Sequence, residues 1–191
     1  MSRHRYYMFQ SSIGWVVLLG SKRGLKRLSL KPDPEEAMEG IGTNMDEATL
    51  DAEWFAPIQN CVEAYLRGDQ RALDEINLDF DGSPPFFRAA WQACRSIPPG
   101  ETRSYAWLAA EAGSPLAVRA AGQAMARNPW VLIIPCHRVI ASDGGLGGYG
   151  AGGLEVKAKL LQMEQTYDLT RQPNRGSSAS AALGPRRVTE E

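Results

Sequence analysis

"SYAWLAAEAGSPLAVRAAGQAMARN", residues 104–128, is the stretch that decides the fold of the second half of this 191-residue chain. At helical spacing it splits into two short helices around "AGSP". Ser104 is placed to cap the first by accepting a backbone N–H, and Gly113 to end it. Ser114 is placed to cap the second, with Pro115 in the first helical position, where a missing N–H costs little. Two short helices across a tight, glycine-containing turn make a helix-turn-helix. The second helix has little bulk: Ala117, Ala120, Ala121, Gly122, Ala124 and Ala126 are all small, and Arg119 and Arg127 are its only charges. Such residues permit close packing against a strand or the first helix. They equally permit the helix to press into a nucleic-acid groove with arginine as the probing side chain. On this segment alone both readings stand.

Working outward, "PFFRAAWQACRSI" places Phe86, Ala90, Trp91 and Cys94 on one helical face and stops at "PPG". Downstream, the apolar run "VLIIP" breaks at Pro135 and is followed by Cys136, His137 and Arg138. Seven glycines follow between residues 144 and 153, then a last helix in "LEVKAKLLQMEQ". Upstream, "RYYMFQ", "GWVVLLG" and "GLKRLSL" are β-rich runs separated by turn residues and predict antiparallel strands. "PDPEEAMEGIGTNMDEATLDA" reads as an acidic loop with a short helix. "APIQNCVEAYLRG" reads as an amphipathic helix starting near Pro57 and closed by Gly68. "INLDF" reads as one more strand and "DGSPP" as a linker. The expectation is an α+β fold. A small N-terminal antiparallel sheet domain with helix (1–82) precedes a mostly α domain carrying the helix-turn-helix and Cys136 (83–170). Residues 171–191, without apolar periodicity, read as a disordered tail.

Net charge is −1, so no global basic signature of nucleic-acid binding exists. The charge is uneven, however. Residues 32–86 hold 14 Asp/Glu against Arg67 and Arg71, whereas residues 95–140 hold five Arg against Glu101 and Glu111. The second half therefore offers a locally positive face to a polyanion. Cys61, Cys94 and Cys136 are odd in number and widely spaced, which excludes a disulfide framework and suits a reducing compartment. With no signal segment and no apolar run near membrane length, the expected location is the cytoplasm, or the nucleus in a nucleated cell.

Cys136 admits three readings: core filler, metal ligand or nucleophile. Free cysteine behaves as a small hydrophobe, which favours the first. Against it, Pro135 forces a turn whose backbone donors can face a thiolate, and His137 and Arg138 bring positive groups that lower a thiol pKa. Zinc wants about four ligands in recognisable pairs, and the only other histidine is His4, so no metal is expected. A nucleophile needs a base and the base an orienting group. His137 is adjacent, so a bridging water would relay the proton. Glu164 or Glu155 could orient it. The glycines at 145, 147 and 150 lack the βαβ context of a dinucleotide fold. A flexible loop bearing Tyr149 better suits a flat ligand such as a base.

"IPCHRVI", preceded by "RNP" and followed by a glycine-rich loop around Tyr149, resembles the O6-alkylguanine-DNA alkyltransferases. So do "FRAAWQACRSIPPGETRSYAWLA" and "VRAAGQAMARNP", so the resemblance covers residues 86–165. It implies direct DNA repair. A damaged guanine is flipped from duplex DNA and its alkyl group passes to a cysteine in one irreversible turnover, with O4-alkylthymine a second candidate substrate. By motif position Cys136 is the acceptor, His137 the water-mediated base and Glu164 its orienting carboxylate. Tyr105 rotates the target phosphate and assists proton transfer to the leaving guanine. Arg119 intercalates where the base has left, and Ala117, Ala120, Gly122, Gln123 and Arg127 complete the DNA face in the minor groove. Asn128 braces the turn to the active site. Met125, Val139, Tyr149, Gly150 and Ala151 complete the pocket, with the carbonyls of Cys136 and Val139 accepting from the guanine amine. The lid departs from the family: "YGAGG" has one extra residue between Tyr149 and Gly152, so Gly150 or Ala151 could donate to the alkylated oxygen. No cofactor is implied. The expected partner is double-stranded DNA containing O6-alkylguanine, met by a monomer with cooperativity on DNA left open. A cysteine-less binding relative, a thiol hydrolase and a transcription regulator are the rival readings.

Overall fold

The computed structural model describes residues 4–42 and 48–164. The tail expected at 171–191 and part of the acidic loop lie outside the described residues.

Three eight-residue strands, β1 (His4–Ser11), β2 (Gly14–Ser21) and β3 (Gly24–Lys31), form an antiparallel meander. A short β4 (Ala48–Leu50), which the sequence reading took as loop, adds parallel to β1 and gives the order β3-β2-β1-β4. Pairing of Ser11 with Gly14 leaves a two-residue hairpin, and Gly14 holds a φ of 138° there. A side chain at Gly14 would meet the Lys31 carbonyl at 2.7 Å, so only glycine fits. The central strand β2 is covered on both faces, and its side chains alternate accordingly. Val17 and Leu19 pack with Ala37 and Ile41 beside α1 (Pro34–Glu39), while Val16 and Leu18 join Phe55, Val62 and Tyr65 of α2 (Ala52–Leu66).

The α2 helix starts five residues earlier than Pro57. Asp51 caps it by accepting from the Trp54 N–H, and that cap outweighs the proline, which sits inside the second turn. "INLDF" makes no strand. Leu78 forms a single bridge to Leu25, because the edge of β3 is shared with Trp130. The Leu28 N–H donates to the Pro129 carbonyl at 2.7 Å and the Trp130 indole donates to the Leu25 carbonyl at 2.8 Å. The segment leading to Cys136 is thereby fixed to the sheet. Trp130 also meets Trp91 edge-on at 5.3 Å and Phe80 at 4.6 Å, so one aromatic cluster seals the junction.

The second half is helical: α3 (Pro85–Arg95), α4 (Tyr105–Glu111), α5 (Val118–Ala126) and α6 (Gly153–Met163). Ser104 caps α4 by accepting from the Trp107 N–H, and Gly113 turns the chain with a φ of 82°. The expected cap at Ser114 is wrong. Residues 114–117 close as a separate turn, Ala117 N–H to Ser114 O, and the helical ladder restarts at Ala117, whose carbonyl accepts from Ala121. Two-residue strands β5 (Arg103–Ser104) and β6 (Val139–Ile140) pair in parallel and tie the start of the helix-turn-helix to the Cys136 turn.

Candidate active site

Cys136 begins a 3-10 turn, Cys136–Arg138, entered through unusual backbone. Leu132 has a φ of 71°, which an L-residue with a bulky side chain rarely adopts. Pro135, at φ −78° and ψ 63°, is the centre of an inverse γ-turn closed by the Cys136 N–H on the Ile134 carbonyl at 2.7 Å. Asn128 holds this turn together. Its side-chain amide donates to the Ile134 carbonyl at 2.8 Å and to Cys136 Sγ at 3.2 Å, and its oxygen accepts from the Trp130 N–H.

Cys136 is 7% exposed and opens on a cavity of about 210 Å³. Met125, Asn128, Val131, Gly150 and Ala151 line it, with Lys31 and Arg127 adding positive charge. That volume is small beside the ~300–1,000 Å³ of drug-sized sites and suits a compact ligand. Val139 and Tyr149 are not on this wall. The Tyr149 ring stands edge-on to His137 at 6.5 Å, its hydroxyl buried without a partner among the described residues. The carbonyls assigned to the guanine amine already accept internally, Cys136 O from the Val139 N–H and Val139 O from Lys157 Nζ at 2.7 Å. A second donor would use their remaining lone pairs.

His137 is fully buried, and Glu164, not Glu155, meets it. Nε2 lies 3.1 Å from Glu164 Oε1, whereas Glu155 is exposed. A carboxylate only accepts, so Nε2 carries the proton and Nδ1 is the free lone pair. Nδ1 is buried and has no partner among the described residues. Burial holds His137 below the ordinary histidine pKa, against the raising effect of Glu164, so the resting ring is neutral. Glu164 is itself gripped by Arg138, whose Nε and Nη2 donate to its two oxygens at 2.9 and 2.7 Å, and by the Tyr65 hydroxyl at 2.6 Å. Burial pushes its carboxyl up, but hydrogen bonds from His137 and Arg138 outweigh that and hold it far below the carboxylate range.

One expectation is overturned. The Cys136 thiol is raised above its ordinary pKa, because burial outweighs the Asn128 hydrogen bond, the Lys157 charge and the backbone donors. Arg138 does not serve the thiol: Glu164 and the Ile97 carbonyl take its donors. The cation acting on sulfur is Lys157, fully buried and pulled down to about 8 by that burial, which donates to the carbonyls of Val139 and Leu146. Tyr105 opens α4 half-buried; burial first and the neighbouring Cys136 second raise its hydroxyl pKa, so it stays protonated.

On α5 the small residues divide. Ala121 and Ala124 are buried against the core, while Arg119, Gln123, Ala126 and Arg127 are exposed. Ala117, Ala120 and Gly122 are partly exposed, and beyond its own helix backbone a Cβ at Gly122 would meet no described residue within 4 Å. Internal packing therefore explains the inner alanines but not Gly122.

Residues 85–166 match the family model of the 6-O-methylguanine DNA methyltransferase DNA-binding domain. The methylated-DNA–protein-cysteine methyltransferase of Methanosarcina acetivorans is 37% identical over 159 residues, covering 83% of this chain and 97% of that one. The chain belongs to this family. The Mycolicibacterium paratuberculosis member is 38% identical over 162 residues, covering 85% of this chain and 93% of its own. Among solved structures, Mycobacterium tuberculosis OGT in complex with DNA superimposes with a TM-score of 0.71 at 35% identity, covering 85% of this chain and 93% of that one. The α+β architecture expected from the sequence is thus that of the methyltransferase family.

Sequence reasoning missed Tyr65 and Lys157. Lys157 had a readable signal: Lys157, Leu160, Leu161 and Glu164 occupy one helical stripe at i, i+3, i+4 and i+7, so two charges stand where apolar residues belong. Tyr65 had none, since an aromatic on the buried stripe of α2 reads as core.

Proposed function

We propose that Cys136 takes the alkyl group from O6-alkylguanine in duplex DNA, once per molecule, as the acceptor of a DNA-repair methyltransferase. The observation that carries the reading is a buried thiol that opens on a base-sized cavity beside a histidine whose protonated nitrogen is committed to Glu164. The thiol proton passes through a bridging water to His137 Nδ1. The sulfur then attacks the alkyl carbon in line, the S–C bond forming as the C–O6 bond breaks. Tyr105 supplies a proton to the departing guanine and regains one from solvent, while the His137 imidazolium releases the former thiol proton to solvent, so protons balance. Burial raises the thiol and lowers the imidazole, so both rest neutral and the proton transfer belongs to the engaged site. O4-alkylthymine presents the same alkyl ether and is the second candidate.

Base flipping exposes the alkyl carbon, and Arg119 fills the gap while Ala117, Ala120, Gly122, Gln123 and Arg127 lie along the minor groove. Residues 1–82 and 83–170 act as the two domains, and the protein works as a monomer in the cytoplasm or nucleus. Among the described residues no helix is long and apolar enough to cross a membrane.

Incubation with an oligonucleotide bearing O6-methylguanine adds one methyl group per protein, read by intact mass and mapped to Cys136 by peptide mass. Turnover beyond one equivalent, or methylation elsewhere with Cys136 free, would refute this. Arg119→Ala slows repair of duplex DNA at least about tenfold, about 1.4 kcal/mol in the flipping step, and affects a single-stranded substrate much less. Equal repair of duplex by both proteins removes the intercalating role.

A further inference from the structure

We propose that Tyr65, contributed by α2 of the sheet-bearing half, is a positioning residue for alkyl transfer: its hydroxyl, 2.6 Å from Glu164 Oε1 and 3.3 Å from His137 Nε2, fixes the tautomer and basicity of His137. The inference rests on the proposed role of His137 as the base.

The geometry assigns each proton. The short contact makes Tyr65 the donor to Glu164, since a carboxylate can only accept. The phenol oxygen keeps a lone pair, and His137 Nε2 lies within its reach. The one Nε2–H is then shared between two acceptors, Glu164 Oε1 at 3.1 Å and Tyr65 Oη at 3.3 Å. Moving the proton to Nδ1 would forfeit both, so the base lone pair is held at Nδ1. Oε1 meanwhile takes donors from Tyr65 and from Arg138 Nη2 at 2.7 Å. Each spreads its negative charge and weakens its pull on an imidazolium. Tyr65 therefore holds His137 in the right tautomer while keeping it a weak enough base to remain unprotonated at neutral pH.

The other groups around the ring do not replace it. Arg138, in the same turn, and Lys157, on α6, are cations that oppose protonation of His137. Tyr149, from the glycine loop, presents its ring edge-on. Cys136 adjoins His137, and Cys94, on α3, is a fully buried thiol whose pKa burial raises. Among the described residues, Tyr65 is a group whose hydrogen bonds carry the N-terminal half to the relay, 72 residues from His137 in sequence.

The test compares the full-length protein with Tyr65→Phe. With only two histidines in the chain, the ring nitrogens of His137 can be followed by NMR in DNA-free protein. Tyr65→Phe should raise the His137 pKa by about one unit and introduce some Nδ1–H tautomer. The acid limb of the single-turnover rate should rise by the same amount, lowering the rate on that limb about tenfold and above it less than about twofold. Placing 3-fluorotyrosine at position 65 keeps the ring and strengthens the donor, so it shifts the limb the opposite way even if the phenylalanine variant folds poorly. An unchanged tautomer and pKa, or a rate loss equal at every pH and tracking lost thermal stability, overturns the proposal. If the wild type transfers no alkyl group the functional reading fails, while the DNA-free titration still decides the role of Tyr65.

Discussion

Cys136→Ser is expected to abolish alkyl transfer while leaving the fold and DNA binding in place. Serine is nearly isosteric, and its hydroxyl keeps the Asn128 amide that now donates to sulfur at 3.2 Å. A substitution that opens no cavity and orphans no partner costs about 1 kcal/mol or less. Chemistry suffers far more. A hydroxyl is a feeble nucleophile at its free pKa, and His137, held below the ordinary histidine value by burial, is too weak a base to deprotonate it. The loss is on the order of 10⁶-fold, the scale set by removing the nucleophile of a catalytic unit. Mass spectrometry of the variant with O6-methylguanine DNA should show no increment, with binding to the same DNA within about twofold of wild type. The other thiols are internal controls: Cys94 is fully buried with its pKa raised, and Cys61 lies partly exposed on α2, away from the cavity. A methyl group on either in the serine variant would mean that the cavity does not direct the transfer.

The ease of reading Cys136 and the difficulty of reading its neighbours have one cause. Turn and helix signals are local, so "AGSP", the break at Pro135 and the glycine loop could be read from a few residues each. The helix start at Val118 could not, because Pro115 suits both a first helical turn and an isolated one. The relay is non-local. Glu164 lies 27 residues from His137 and Tyr65 lies 99 from Glu164, and no periodicity links three elements that meet only when the sheet docks on the helices. Arg138 shows how adjacency misleads: it follows Cys136 by two positions, yet its guanidinium serves Glu164. The thiol pKa was misjudged for the same reason, since the sequence displays nearby charges but not burial, and burial dominates. The family resemblance supplied Glu164 where spacing left Glu155 open.

Glu164→Ala should be the most destabilising of the single changes considered, and it should also end efficient transfer. Glu164 is 2% exposed and its Oε1 alone receives Tyr65, Arg138 and His137. Truncation leaves the Arg138 guanidinium buried with, among the described residues, only the Ile97 carbonyl, at 2.6 Å, as a remaining acceptor. Breaking a buried ion pair from one side costs about 3–5 kcal/mol, because the surviving charge stays desolvated. For a domain of this size that lowers the melting temperature by roughly 6–20 °C. Asp81→Ala removes a salt bridge too, but Asp81 and Arg23 are solvent-exposed, so its cost should stay below about 1 kcal/mol. Acid distinguishes the ionic origin from simple lost packing. The folded carboxyl titrates below its unfolded value of about 4.3, so its stabilisation is complete above that pH and fades as pH falls toward the folded pKa. The stability gap between wild type and Glu164→Ala should therefore narrow below pH ~4. A gap that stays constant through acid would assign the loss to the cavity alone. The same truncation removes an acceptor from His137 Nε2–H, so surviving folded protein should transfer alkyl groups at least about tenfold more slowly. Wild-type transfer by folded Glu164→Ala would show that the histidine needs no orienting carboxylate.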